Sequence, residues 1–241
     1  MPVGSGWVVC GDRRRTSSLS AGGDDEVKVF ELAKGVVAGM TGLRRVSEPG
    51  VTFFDVADSV KRFASSTPFG ARADYAEALG KALGADFVRS VPRRVWPDVE
   101  KIEADGPSVF TVMLFWMTNG GLPQWAEVTF KLRGGPRYAA RSTREVVAST
   151  NKLRTVTFGN QAVLDELRHG HRPDFDTARK DPDVRQFLIG PYAWRERAAV
   201  DAERFGRHVI ELTSTRLPDL ERKASNVGPV ADCAKVSQPP G

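Results

Sequence analysis

Few residues of this sequence are spaced for chemistry, and three of those that are fall within the first 42 positions. Asp12 closes the apolar run Trp7-Val8-Val9-Cys10-Gly11. Lys28 opens the run Val29-Phe30-Glu31-Leu32 sixteen residues later, and Gly42 follows the small apolar run Val36 to Met40. An ammonium held by a carboxylate favours the anionic form of a neighbouring nucleophile, and a glycine N–H can donate to a developing oxyanion. Taken alone, an aspartate and a lysine on a sheet more often make an exposed ion pair, contributing about 0–1 kcal/mol.

The other candidate groups form no comparable set. His169 and His171 stand two apart with His208 distant, and a metal centre needs three or four converging ligands, so no metal is expected and the pair reads as a loop after a helix. Cys10 and Cys233 lie in apolar runs, where a free cysteine behaves as a small hydrophobe; this reading expects a reducing compartment. Arg133-Gly134-Gly135-Pro136 lacks the Gly-Lys-Ser/Thr of a phosphate loop and reads as a turn. Arg13-Arg14-Arg15 and Arg93-Arg94 carry no interleaved aromatics, which fits a solvated face or a subunit contact.

The elements that must position the first three residues are short strands. Trp7 to Cys10, Val27 to Leu32 and Val36 to Met40 read as strands, the last two joined by a tight hairpin at Ala33-Lys34-Gly35, with Ser17 to Asp24 a polar loop. Asp12 and Lys28 then sit near neighbouring strands. After a turn at Ser47-Glu48-Pro49-Gly50, Phe53, Val56, Ala57, Val60 and Phe63 predict a helix capped by Thr52, and Tyr75, Leu79, Leu83 and Phe87 predict a second. Residues 92 to 107 read as an insertion-like surface connection. Ser108 to Met117 and Trp125 to Leu132 make a hairpin, and Val156 to Leu164 reads as a strand entering a helix. A charged, irregular segment spans 172 to 191. A long helix over Ala198 to Leu212, with small Ala199 and Gly206, ends at Leu217-Pro218, and a strand covers Val230 to Val236.

This order of motifs resembles the proteasome-type N-terminal-nucleophile (Ntn) hydrolases: the proteasome β subunits and the peptidase of the bacterial two-component ATP-dependent protease. That family carries an apolar strand ending in Ala/Gly-Asp-x-Arg/Gln-Ala-Thr, matched here by Gly11-Asp12-Arg13-Arg14-Arg15-Thr16. Its lysine stands sixteen residues on, as Lys28 does, and a small apolar strand ending in glycine follows, as Val36 to Gly42 does. The resemblance implies an α+β fold, a four-layer αββα sandwich of two antiparallel sheets flanked by helices. It is expected over residues 1–236 as one domain, with 237–241 a frayed tail.

The resemblance also implies a mechanism in which an N-terminal threonine attacks a peptide bond and its own α-amine takes the proton. Asp12, Lys28 and Gly42 match the supporting roles, and no cofactor is involved. Met1 to Ser5 cannot supply the strand that brings a terminus to the site, and Thr16 lies downstream of Asp12. Further along, Phe158 and Asn160 stand where the family has the two serines of Ser-Gly-Ser. Arg222, three residues before Ser225, stands where it has an aspartate. The expectation is therefore a catalytically degenerate assembly or binding subunit, with an active threonine-type peptidase, its nucleophile upstream of Met1, as the alternative.

Composition bounds the partners. The chain has 241 residues, 41% of them hydrophobic, enough for a substantial core; its 35 basic and 30 acidic residues are interspersed, and a net charge of +5 does not indicate nucleic acid. No apolar run is long enough to span a membrane, and no signal-peptide pattern opens the sequence, so a cytoplasmic protein is expected. By resemblance, it would form a homo-oligomeric ring or stacked assembly, with an ATPase or cap as a possible partner and a peptide substrate if active.

Overall fold

The computed structural model describes residues 1–4, 6–12, 27–69, 74–104, 108–118, 120–121, 123–142, 162–182, 184–185, 198–221 and 231–237. In chain order the elements are β1 (Pro2–Val3), β2 (Gly6–Asp12), β3 (Val29–Ala33), β4 (Val36–Gly42), β5 (Arg45–Glu48), β6 (Val51–Asp55), α1 (Val56–Ser66), α2 (Tyr75–Ser90), α3 (Trp96–Ala104), β7 (Phe110–Met117), β8 (Pro123–Lys131) and β9 (Arg137–Ser142). Then follow α4 (Ala162–His169), α5 (Asp176–Lys180), α6 (Ala199–Glu221) and β10 (Ala231–Ser237). The fold is α+β with antiparallel sheets: β1-β2-β10, β3-β4-β7-β8-β9, and the separate hairpin β5-β6.

Strand alternation sorts the core into separate clusters. On β2, Trp7 and Val9 point one way, into a cluster with Val236 of β10 and with Val29, Val37, Met113 and Phe115 of the five-stranded sheet. Val8 and Cys10 point the other way, packing with Leu164 of α4 and with Ala202, Phe205 and Val209 of α6. The opposite face of the five-stranded sheet supplies Ala38, Met40, Val112, Leu114 and Val128 to a cluster with α1, α2 and α3. Period-two patterning with both faces apolar is what a strand buried on both sides requires.

Several expectations are corrected. Phe53 and Thr52 belong to β6, not to a helix; Asp55 is the cap of α1, its Oδ1 accepting from the Asp58 N–H at 3.1 Å. The strand prevails because Val51–Asp55 pairs with Arg45–Glu48 and buries Phe54. Much of 92–107 is α3 and not a surface connection: Val95, Trp96 and Val99 are buried, and the buried Glu103 carboxylate accepts from the N–H groups of Leu132 (2.8 Å) and Arg133 (2.7 Å). A three- and four-residue apolar spacing was hidden there by the charged residues between. β9 was not anticipated. Within 172–191, Pro173–Phe175 forms a short 3-10 turn leading into α5, with Phe175 buried. α6 does not stop at Leu217-Pro218 but runs to Glu221.

The two cysteines are not free. Cys10 and Cys233 occupy facing positions on β2 and β10, with Cα atoms 4.1 Å apart, and form a disulfide. The argument for a reducing compartment therefore falls. Gly206 of α6 lies over this bridge: a Cβ there would stand 2.6 Å from Cys10 Sγ and 2.9 Å from Met1 Cε, so the small residue is required for the close helix approach. No helix among the described residues is long and apolar enough to cross a membrane. Arg13 to Arg15, the Ser17 to Asp24 loop, the strand into Phe158 and Asn160, Arg222, Ser225 and residues 238–241 lie outside the described residues.

Candidate active site

Asp12 ends β2 and Lys28 immediately precedes β3, and these strands belong to different sheets and do not pair as the sequence suggested. They meet across the gap between the sheets. Lys28 Nζ donates to both carboxylate oxygens of Asp12, at 3.0 Å to Oδ1 and 3.1 Å to Oδ2, and the side chains are only 14% and 16% exposed. That burial removes the pair from the exposed class, in which water screens most of the attraction. Asp12 is the only partner of the Lys28 ammonium among the described residues.

Local features bring the two together. Gly11 precedes Asp12, and a Cβ at that position would meet Val29 Cγ2 at 2.9 Å and Lys28 Cβ at 3.6 Å; glycine lets the end of β2 come down on the start of β3. Facing Asp12 across the three-stranded sheet is Ala231, whose carbonyl accepts from Arg207 Nη1 of α6. Arg207 in turn donates to Glu203, which also pairs with Lys235 at 3.1 Å. The hydrogen bonds from Arg207 and then Lys235 hold the Glu203 carboxyl below its ordinary pKa. The end of β2 is thus fastened, through β10, to α6.

On the other side, the Lys28 carbonyl accepts from the Met40 N–H at 2.9 Å, and the preceding Val27 carbonyl accepts from Arg44 Nη1 at 3.1 Å. Arg44 and Arg45 both face the buried Asp55 carboxylate, with Nε to Oδ2 distances of 3.6 and 3.1 Å. The cap of α1 therefore also fixes the backbone on which Lys28 stands. Arg44 was not singled out from the sequence, and Asp55 was placed only as the residue three after the expected Thr52 cap; the signal available was a pair of arginines just after Gly42 with a carboxylate at a helix start.

Gly42 lies at this same end, two residues beyond the Met40 that bonds the Lys28 carbonyl. Its φ is +85°, and a Cβ would stand 2.6 Å from the Val109 carbonyl oxygen and 2.9 Å from Phe110 Cα. Only glycine fits both demands. The arrangement fixes an ammonium between two sheets with its charge offset by the Asp12 carboxylate, and the third of its N–H donors is left to face an anion formed beside it.

The remaining candidates are placed elsewhere. His169 ends α4 and His208 lies on α6, and the described residues contain no group of three or more side chains suited to a metal ion. Arg93 stacks on the Trp96 ring, 3.6 Å from its centroid, and Arg94 pairs with Glu48, so both serve contacts within the chain. Compared with known protein families and with curated proteins, the chain matches none.

Proposed function

We propose that the chain adopts the four-layer αββα sandwich of the proteasome-type Ntn hydrolases, with Asp12, Lys28 and Gly42 as the electrostatic half of a site built for a free chain terminus. The observation that carries this reading is the two-pronged Lys28–Asp12 contact across the gap between sheets. The separation of the core into helix-facing and sheet-facing clusters supports the layering.

A polypeptide beginning at Met1 then acts as an assembly or binding subunit without peptidase turnover. Met1 faces Val8: its α-amine donates to the Val8 carbonyl at 2.7 Å and the Val8 N–H donates to its carbonyl at 2.8 Å. Val8 stands four residues before Asp12, roughly 13 Å along the strand at about 3.3 Å per residue. That amine cannot serve as the base at Lys28.

One observation favours the second reading, an active threonine-type peptidase. Pro2–Val3 is a strand after all: it pairs antiparallel with β2, Pro2 facing Trp7 and Val3 facing Gly6. Any residues preceding Met1 and continuing this pairing would run toward Asp12, and the fourth of them would face it. A threonine, serine or cysteine there, exposed as the terminus, would have its hydroxyl or thiol beside the Lys28 ammonium and its own amine available as base. Terminal sequencing and intact mass of the protein from its native cells decide between the readings. A mature terminus at Thr, Ser or Cys about four residues upstream supports the peptidase, and a terminus at Met1 or Pro2 supports the silent subunit.

Assembly into a homo-oligomeric ring or stacked complex, with an ATPase or cap partner, goes with this reading; native mass spectrometry tests it, and a monomer at micromolar concentration counts against it. A cytoplasmic location goes with this reading, without support from the cysteines, which are paired.

A further inference from the structure

The edge of the five-stranded sheet farthest from Lys28 carries a second feature, independent of the reading above. Between α2 and the β8–β9 hairpin runs a groove of about 420 Å³. Its floor is apolar: Val88 and Tyr138, two of the exposed large hydrophobic residues (38% and 36%), lie beside the Phe130 ring. Glycines on α2 shape it. A Cβ at Gly80 would meet Tyr138 Cδ2 at 2.6 Å, so the ring rests against bare helix backbone, and Gly84 leaves the space over Phe130.

The rim is cationic. Lys81 and Arg89 of α2 and Arg137 of β9 border the groove. Arg89 pairs with Asp86, whose carboxylate is also engaged by Ser59 and Arg62, whereas Lys81 and Arg137 have no anionic partner among the described residues. β9 ends the sheet among the described residues, offering its outer backbone to an extended chain. We propose that this groove binds an acidic peptide segment, one aromatic or aliphatic side chain lying on Val88 and Tyr138 while flanking carboxylates meet Lys81 and Arg137. A single apolar slot beside a strand edge suits a peptide; a nucleic-acid strand would need successive stacking platforms along a basic track.

The test is fluorescence anisotropy of a labelled acetyl-Glu-Asp-Phe-Glu-Asp peptide with the full chain. Saturable binding is expected, weakening with added salt. Lys81→Glu and Arg137→Glu should each raise Kd about tenfold or more, and so should Ala85→Trp, which fills the groove without changing charge. Lys34→Glu, in the β3–β4 turn, makes the same charge change elsewhere and should alter Kd less than about twofold. All four positions are exposed, and thermal melts verify that the variants fold. Absence of saturable binding, equal losses in Lys34→Glu and Arg137→Glu, or undiminished binding by Ala85→Trp would overturn the proposal. None of these outcomes depends on peptidase activity.

Discussion

Lys28 Nζ lies 3.0 and 3.1 Å from the two carboxylate oxygens of Asp12, and the contact joins two different sheets. Because the pair is largely shielded from water, removing one member leaves the other charge poorly solvated. Lys28→Ala and Asp12→Ala should each destabilise the protein by roughly 1–3 kcal/mol, and the double variant by less than the sum. Urea unfolding of the four proteins measures this, and strictly additive losses would count against a coupled pair.

Gly42 makes a sharper demand on the backbone. Gly42→Ala places a Cβ against the Val109 carbonyl at a positive φ and should cost about 2–4 kcal/mol. Gly35 also has positive φ (+77°), but no atom lies within 4 Å of its Cβ position, so Gly35→Ala should cost only about 1 kcal/mol. Comparing the two melting temperatures isolates the steric part. Equal shifts would mean that the approach of Val109 to Gly42 is not tight.

Asp86 provides a pH test. Burial alone would raise the pKa of its carboxyl, but the Ser59 hydroxyl at 2.5 Å and the Arg89 and Arg62 guanidiniums outweigh that and hold it below the ordinary 3.8. A carboxyl depressed on folding contributes stability above its unfolded pKa and loses it as pH falls through the folded value. Asp86→Asn should therefore be less stable than the wild type at pH 7, with the gap closing as pH drops below 3.8. A gap that stays constant into acid would contradict this assignment.

The Cys10–Cys233 bridge links positions 223 residues apart and ties β2 to β10 two residues from Asp12. Dithiothreitol should lower the melting temperature, corresponding to about 2–4 kcal/mol. Thiol titration of the unreduced, denatured protein should detect no free thiol. Two titratable thiols and no effect of reductant would be the opposite result.

Much of the framework was legible because strands buried on both faces read as short apolar runs bounded by turn residues. Trp7 to Cys10 marks β2 in this way, and similar runs mark β4, β7 and β8. Of the three residues singled out by their spacing, Asp12 and Lys28 are in contact. Less legible were features set by partners distant in sequence. Asp55 caps α1 while Arg44 and Arg45 face its carboxylate, Trp96 is buried against Phe87 with its indole N–H on the Val91 carbonyl, and β9 is a strand only because β8 pairs with it. Cys10 and Cys233 sit in ordinary apolar runs, and only the register between β2 and β10 makes them neighbours. The short β1 pairing, two residues long, was too brief to carry a periodic signal.

The central claim is that Asp12 and Lys28 belong to a site built for a free chain terminus, which the Met1 polypeptide leaves unserved. It is tested most directly by intact-mass detection of covalent labelling with an N-terminal-threonine-directed inhibitor, applied to the Met1 polypeptide and to a form processed to begin with threonine four residues upstream. The account predicts no adduct on the Met1 form, one adduct on the terminal threonine of the extended form, and loss of that adduct in Lys28→Ala. An adduct on the Met1 form, or labelling of the extended form that persists without Lys28, would contradict it.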